Sequence, residues 1–488
     1  MKEFAAENAK PNPRSTINSY RSFGYNLSTA IADIMDNCIS AKASNIWIDY
    51  LWDGKDSWLT ISDNGTGMDL KELVVAMTPG SKDPDALRDE KDLGRFGMGL
   101  KTASFSQCKR LTVSTKTQES GLHNRCWDID FIDEEWTLYN YISSPELNKR
   151  LLIMEKGTVV IWEKLDRIVG LAEADNEAVK RAFYHEMSLV RDHISLVFHR
   201  FIEQGRLKVF INELEVLPWN PFLLNLNPRP EQGATESLAG KVEVTHFILP
   251  HMSRIAELDY QNTGGPLGWY HQQGFYVYRA DRLLVAGDWL GLEKKREYAK
   301  LARISIDFSN SADFDWNLDI KKSTATPPVD IRRDLARIAR LACMKSAQIY
   351  NWRGQKKISA DKQGQNIQPL WYDEISPDGH KKYRVNKKHP LIALALGGDA
   401  SPNKMFSKAI KLIEENIPLE LILYNQEDDP GNHELEKLSV APPDDLIALA
   451  KQIYAMEVSQ GCTPEEASGQ LMNSIPFNQF PLIKEYLK

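Results

Sequence analysis

From Ala30 to Ala41 the apolar positions Ile31, Ile34, Met35 and Cys38 return at the spacing of one face of an amphipathic helix. Asp33 and Asn37, four residues apart, share another face of it. Trp58–Ile61 has strand character, Leu100–Gln107 is predicted to be a helix opened by a glycine loop, and Gly157–Leu165 reads as a strand that closes a sheet. A helical passage spans Asn176–Phe201. Strands resume at Leu207–Ile211, with a turn at Trp219–Phe222, and end near Pro327-Pro328. A helix follows over Asp330–Tyr350, breaking near Gly354, and shorter helices are expected at Ser407–Glu415, Pro443–Met456 and Thr463–Ala467. The pattern predicts an α+β protein: an arm at 1–20, one domain at 21–167, a second α+β domain at 168–328, a basic helix and linker at 329–388, and an acidic, mainly helical region at 389–488.

Composition changes this picture little, but charge does. With 488 residues, 42% hydrophobic and 26% charged, the chain has the make-up of a globular protein of two or three domains. No apolar run approaches a membrane span, and the start does not resemble a secretory signal, so a cytoplasmic protein without membrane contact is expected. The five cysteines are scattered without a Cys-x-x-Cys pair, which supports neither a disulfide framework nor a zinc module. Residues 321–388 hold 16 Lys or Arg against six Asp or Glu, whereas residues 389–488 hold seven against 15. The net charge of −7 hides that polarity. Arg333, Arg337 and Arg340 fall on one helical face, with Trp352 and Trp371 nearby, so 321–388 is a candidate DNA-contacting segment, or else a solvated helix face with a polar linker. Phe477 and Phe480 near the end could offer a docking surface for a protein partner, although core packing is the commoner fate.

Three polar blocks carry the candidate chemistry. The first is the helix with Asp33, a carboxylate able to orient or deprotonate water, and Asn37, a carboxamide able to ligate magnesium. The second is Asp63-Asn-Gly65-Thr-Gly67-Met68. Its two glycines would let backbone approach a flat base where a side chain would clash. The third runs Gly94-Arg-Phe96-Gly97-Met98-Gly99-Leu-Lys101-Thr102. Leu100 separates Gly99 from Lys101, so this is not a P-loop, and its glycine order is the reverse of the dinucleotide fingerprint. A glycine loop entering a helix does suit phosphate oxygens. Residues 77–93 would be the lid over them. Taken singly, the blocks are also a polar helix stripe, an ordinary turn and a loop. Their order, about 30 residues apart, is the signal.

That order resembles the Bergerat nucleotide site of the GHKL superfamily, which includes gyrase B, the ninety-kilodalton heat-shock chaperones, histidine kinases and MutL. The resemblance implies an α/β sandwich that binds ATP with Mg2+. In it Asp63 accepts the adenine amino group, and Gly65, Gly67 and Met68 form the adjacent hook. Gly94, Phe96, Gly97, Met98, Gly99, Lys101 and Thr102 cradle the phosphates, Asn37 holds the metal, and Asp33 is the hydrolytic base. Only residues 1–29 precede the first block, which leaves a histidine kinase no room for its phosphoacceptor helix. Gln273–Leu284, followed by Gly287-Asp-Trp-Leu, is similar to the second-domain signature of microrchidia (MORC) type ATPases. Phe314–Ser323 is similar to the MutL stretch whose lysine reaches the γ-phosphate, which implies that role for Lys322, with Lys321 as the alternative. Residues 168–328 would then be a transducer domain, resembling ribosomal protein S5.

Two departures bear on turnover. Asp33 stands where most of the superfamily has glutamate, and Ser40 where an aspartate is common. The shorter arm implies slow hydrolysis. The resemblance implies an ATP-gated homodimeric clamp or switch in a bacterial DNA-processing or phage-defence system. A chaperone-like remodelling ATPase and an ATP-binding scaffold with negligible hydrolysis are the rival readings.

Overall fold

The computed structural model describes residues 11–81, 99–132, 135–251, 254–255, 263–308, 316, 325–351, 370–375, 381–387, 389–396, 404–415, 442, 444–459, 461–474, 477, 480 and 482–487. They fall into two units, 1–351 and 352–488.

The first unit contains two sheets. Seven strands form the first: β1 (Asn45–Leu51), β2 (Trp58–Asp63), β3 (Arg110–Lys116), β4 (His123–Asp128), β5 (Gly157–Glu163), β6 (Lys208–Ile211) and β7 (Leu214–Glu215). Their order is β4-β3-β5-β2-β1-β6-β7, antiparallel except where β6 lies parallel to β1. Helices α1 (Pro13–Arg21), α2 (Leu27–Ser40), α3 (Leu70–Met77), α4 (Gly99–Gln107), α5 (Lys149–Ile153), α6 (Glu177–Val197) and α7 (His199–Glu203) complete this layer. The alternation of β5 explains the two faces of the sheet. Val160 and Trp162 join the main core with Ile31, Met35 and Phe183, while Val159 and Ile161 meet Leu151 on the other side. α6 buries Phe183, Met187, Val190, Ile194 and Val197, a stripe at steps of three and four, and it packs along α2.

Sequence reading divides this unit at 167/168. The sheets divide later, because α6, β6 and β7 all belong to the first layer. The second sheet comprises β8 (Glu231–Gln232), β9 (Glu236–Leu238), β10 (Val242–Ile248), β11 (Gly274–Arg279), β12 (Arg282–Asp288) and β13 (Ala302–Phe308). Its order is β12-β11-β13-β10-β8, with β9 also on β10. The long helix Val329–Asn351 presses Ile331, Leu335, Ile338 and Ala342 onto one face, against Val244, Ile304 and Ile306. The other face carries Tyr276, Tyr278 and Leu283, which meet Leu196 and Phe222 beside the end of α6.

In the second unit β14 (Trp371–Ile375) pairs antiparallel with β15 (Lys381–Val385), inside a stretch that sequence reading treats as linker. Its charged alternation hides the strands. The acidic region is helical at Lys404–Glu415, Asp444–Ser459 and Pro464–Met472, where sequence reading expects helices, and also at Pro390–Leu396 and Ile483–Tyr486, where it expects none. Of the two fates open to Phe477 and Phe480, a docking surface and core packing, the second is found. Both rings are buried in a small core with Ala450, Ile453, Leu471 and Ile483, the commoner fate of such side chains. No helix among the described residues is long and apolar enough to cross a membrane.

Candidate nucleotide site

α2 begins where the Asn26 side chain accepts the Thr29 amide at 2.8 Å, and Leu27, Ala30, Ile31, Ile34 and Met35 pull it into the core. That burial carries Asp33 inward while Asn37, one turn on, stays exposed on the same face. The Tyr25 hydroxyl donates to Oδ2 of Asp33 at 2.7 Å. A Cβ placed on Gly99 would lie 3.6 Å from that same oxygen, so the first turn of α4 starts beside the Asp33 carboxylate. The first and third sequence blocks therefore meet. Amides at a helix start next to a carboxylate have the chemistry to hold phosphate oxygens and an attacking water.

Asp63 ends β2 with 3% of its surface exposed, between Ile46 of β1 and Thr158 of β5. Its Oδ1 accepts the Gly65 amide at 2.8 Å. Burial raises its pKa to about 6, against the opposing effects of that amide and a hydrogen bond from the Cys38 thiol. Burial also pushes the Cys38 thiol well above its ordinary range. Cys38 belongs to α2, so the second block is tied to the same helix as the first.

Glycine is required at both hook positions. A Cβ on Gly65 would sit 2.8 Å from the Ala41 carbonyl oxygen, and Gly67, at φ +70°, would put one 1.9 Å from the Lys116 carbonyl oxygen. The Met68 amide then donates to Thr115 Oγ1 at 2.9 Å. That hydroxyl also donates to the Gly157 carbonyl at 3.0 Å and lies 3.1 Å from Thr158 Oγ1.

Of the third block, Gly99, Lys101 and Thr102 are described. Thr102 is buried. Lys101 is also buried, and its ammonium donates to the Ala76 carbonyl at 2.9 Å, tying α4 to the end of α3. Gly94, Phe96, Gly97 and Met98 lie outside the described residues, as do Lys321 and Lys322. Sequence reading missed Tyr25, Thr115, Thr158 and the role of Cys38. A usable signal for the threonines was polar residues at inward strand positions. Tyr25 precedes the helix and has no periodicity to betray it.

Residues 25–158 match the family described as histidine kinase-, DNA gyrase B- and HSP90-like ATPase. The chain is 33% identical over 88 residues to ATPase morc-1 of Caenorhabditis elegans, covering 18% of this chain and 10% of that protein. It is 31% identical over 94 residues to MORC family CW-type zinc finger protein 3 of Mus musculus, covering 19% and 10%. With DNA mismatch repair protein MutL of Thermotoga maritima it shares 29% over 102 residues, covering 20% and 19%. The chain thus matches a fifth or less of the length of these curated relatives. Among solved structures, the ATPase and transducer domains of DNA topoisomerase II from Balamuthia mandrillaris align at 13% identity and a TM-score of 0.38, covering 67% of this chain and 86% of that one. Residues 25–158 of this chain, in which Asp33 and Asn37 lie on α2 and Asp63 at the end of β2 accepts from Cys38 of that helix, are thus similar to a GHKL-type ATPase domain.

Proposed function

We propose that the chain is a magnesium-dependent ATP hydrolase that works as an ATP-gated dimeric switch. The observation that carries this reading is the convergence on α2: Asp33 beside the start of α4, and Asp63 against Cys38. The residues present suit a nucleotide. A buried carboxylate acceptor suits an adenine amino group, and the exposed carboxamide of Asn37 suits magnesium, one turn from a carboxylate suited to deprotonate water. Magnesium would neutralise phosphate charge there. Asp63, with Gly65, Gly67 and Met68, would orient the base. Gly94–Gly99 with Thr102 would hold the phosphates, Lys101 would fix α4 under them, and Lys322 would report their presence to a transducer domain. ATP shifts the chain toward a closed dimer only by binding that state more tightly than the open one.

The client we propose is duplex DNA, in a DNA-processing or phage-defence assembly; the name of the DNA mismatch repair relative and the basic segment support the DNA, and the phage-defence setting rests on the sequence resemblance alone. Arg332, Arg333 and Arg340 are exposed on the long helix, whereas Arg337 pairs with Glu236 and Lys345 with Glu231. The short arm of Asp33 supports a second reading, an ATP-binding scaffold that hydrolyses little. Steady-state ATP hydrolysis by the full chain, with and without duplex DNA and beside Asp33→Asn and Asp63→Asn, separates them. DNA-stimulated turnover lost in both variants is expected. Tight ATP binding without turnover in either condition would leave the scaffold.

A further inference from the structure

We propose that Tyr25 is the positioning residue for the Asp33 carboxylate, holding a short-armed base where water attack requires it. This rests on Asp33 being the base. The geometry is a strut between two helices. Tyr25 lies just before the cap of α2, is 8% exposed, and donates its hydroxyl to Oδ2 of Asp33 at 2.7 Å; Asp33 itself is 5% exposed.

The other end of the strut is tied down. The Tyr25 carbonyl accepts from Gln107 Nε2 at 3.2 Å, and buried Gln107 is the last residue of α4. Arg21 fastens the preceding turn to the same place, donating to the carbonyls of Phe105 at 3.0 Å and Cys108 at 2.9 Å. The first residue of α4 is Gly99, whose neighbour is Asp33. One helix thus presents its amino end to the carboxylate and, from its other end, anchors the backbone of the tyrosine that holds it.

The chemical reason lies in the missing methylene. General-base catalysis needs the carboxylate within about 2.6–3.2 Å of the proton it takes, in a fixed orientation. An aspartate reaches less far than a glutamate and compensates for small displacements less well. A hydrogen bond from a neutral phenol to an ionised oxygen is of the strong, charge-assisted kind, and it fixes the plane of the carboxylate. Tyr25 would act through Asp33 without touching the nucleotide.

The test uses the full chain and compares Tyr25→Phe, Asp33→Asn and the double variant. It reads kcat and KM for Mg-ATP, affinity for trinitrophenyl-ATP, and melting temperature. Tyr25→Phe is expected to lower kcat by about tenfold or more. KM and trinitrophenyl-ATP affinity should stay within about twofold, and the double variant should be no slower than Asp33→Asn alone. Tyr25→His, which retains a donor, should recover part of the loss and covers the case in which the phenylalanine variant folds poorly. Parental kcat in Tyr25→Phe beside an inactive Asp33→Asn overturns the positioning role alone. Parental turnover in Asp33→Asn overturns the base assignment, and the role of Tyr25 with it. Equal losses of kcat and nucleotide affinity would make Tyr25 a support of the whole pocket and also overturn the proposal.

Discussion

Asp36 and Arg282 meet at 2.9 Å across 246 residues of sequence, with 1% and 5% of their side chains exposed. Asp36 lies on α2, next to Asn37 and one turn from Asp33. Arg282 opens β12 of the second sheet and stacks over Phe198 at the end of α6. Around it Arg200 bonds Ser305 and Asp307, and His199 bonds the Tyr278 hydroxyl at 2.9 Å. Helix α2 is thereby bolted to the second sheet by charge as well as by packing.

Removing one partner of such a pair leaves a buried charge uncompensated, at a cost of about 3–5 kcal/mol. Arg282→Met and Asp36→Asn should each lose stability on that scale in urea unfolding. Replacing both, as Asp36→Asn with Arg282→Met, should lose less than the sum of the two single losses. Strict additivity would mean that the two residues do not act as a pair.

Asp63 makes folding depend on pH. Its folded pKa of about 6 stands above the ordinary 3.8, so its favourable contribution is fully present below 3.8 and is lost as pH rises through 6. At neutral pH the nucleotide-free protein carries a penalty on the order of 3 kcal/mol from this one group. Asp63→Asn should therefore melt higher than the parent at pH 8, with a smaller advantage at pH 4.5, while losing ATP affinity. Retained affinity would mean the adenine acceptor lies elsewhere.

At Gly67 any side chain meets both a left-handed φ and the Lys116 carbonyl. Gly67→Ala should cost roughly 1–3 kcal/mol for the backbone alone, with the steric overlap adding to it. Thermal unfolding of the variant measures this, and a melting temperature equal to the parent's would sink it.

If the long helix follows a phosphate backbone, charge reversal should matter where arginines are exposed. Arg332→Glu with Arg333→Glu should weaken duplex binding and reduce the salt slope by roughly two. Arg337→Glu should do less, because Glu236 already offsets that charge. Salt-dependent anisotropy with labelled DNA checks both, and equal effects at all three sites would argue against a directed face.

Much of this was legible in the chain because local rules and tertiary packing agree. The stripe of Ile31, Ile34, Met35 and Cys38 gives α2, and the hook glycines stand where only glycine fits. The long helix, expected at Asp330–Tyr350, spans Val329–Asn351. What escaped was non-local. Nothing near Tyr25 says that its hydroxyl will find Asp33, and nothing near Asp36 announces an arginine 246 positions away. The parallel pairing of β6 with β1 likewise has no local signature, and a boundary drawn after the strand Gly157–Leu165 precedes it.

That pairing has a practical consequence for anyone dissecting the chain. Cut after residue 167, β1 would lose its neighbour along Asn45–Ile48, and α2 would lose the covering stripe of α6. An uncapped strand edge invites pairing with other molecules. A fragment 11–167 should be prone to aggregation, whereas one carried through Val216, which buries against the same core, should behave as a soluble unit. The working border of the nucleotide-binding fragment therefore lies some fifty residues beyond the last conspicuous strand of its sequence motif.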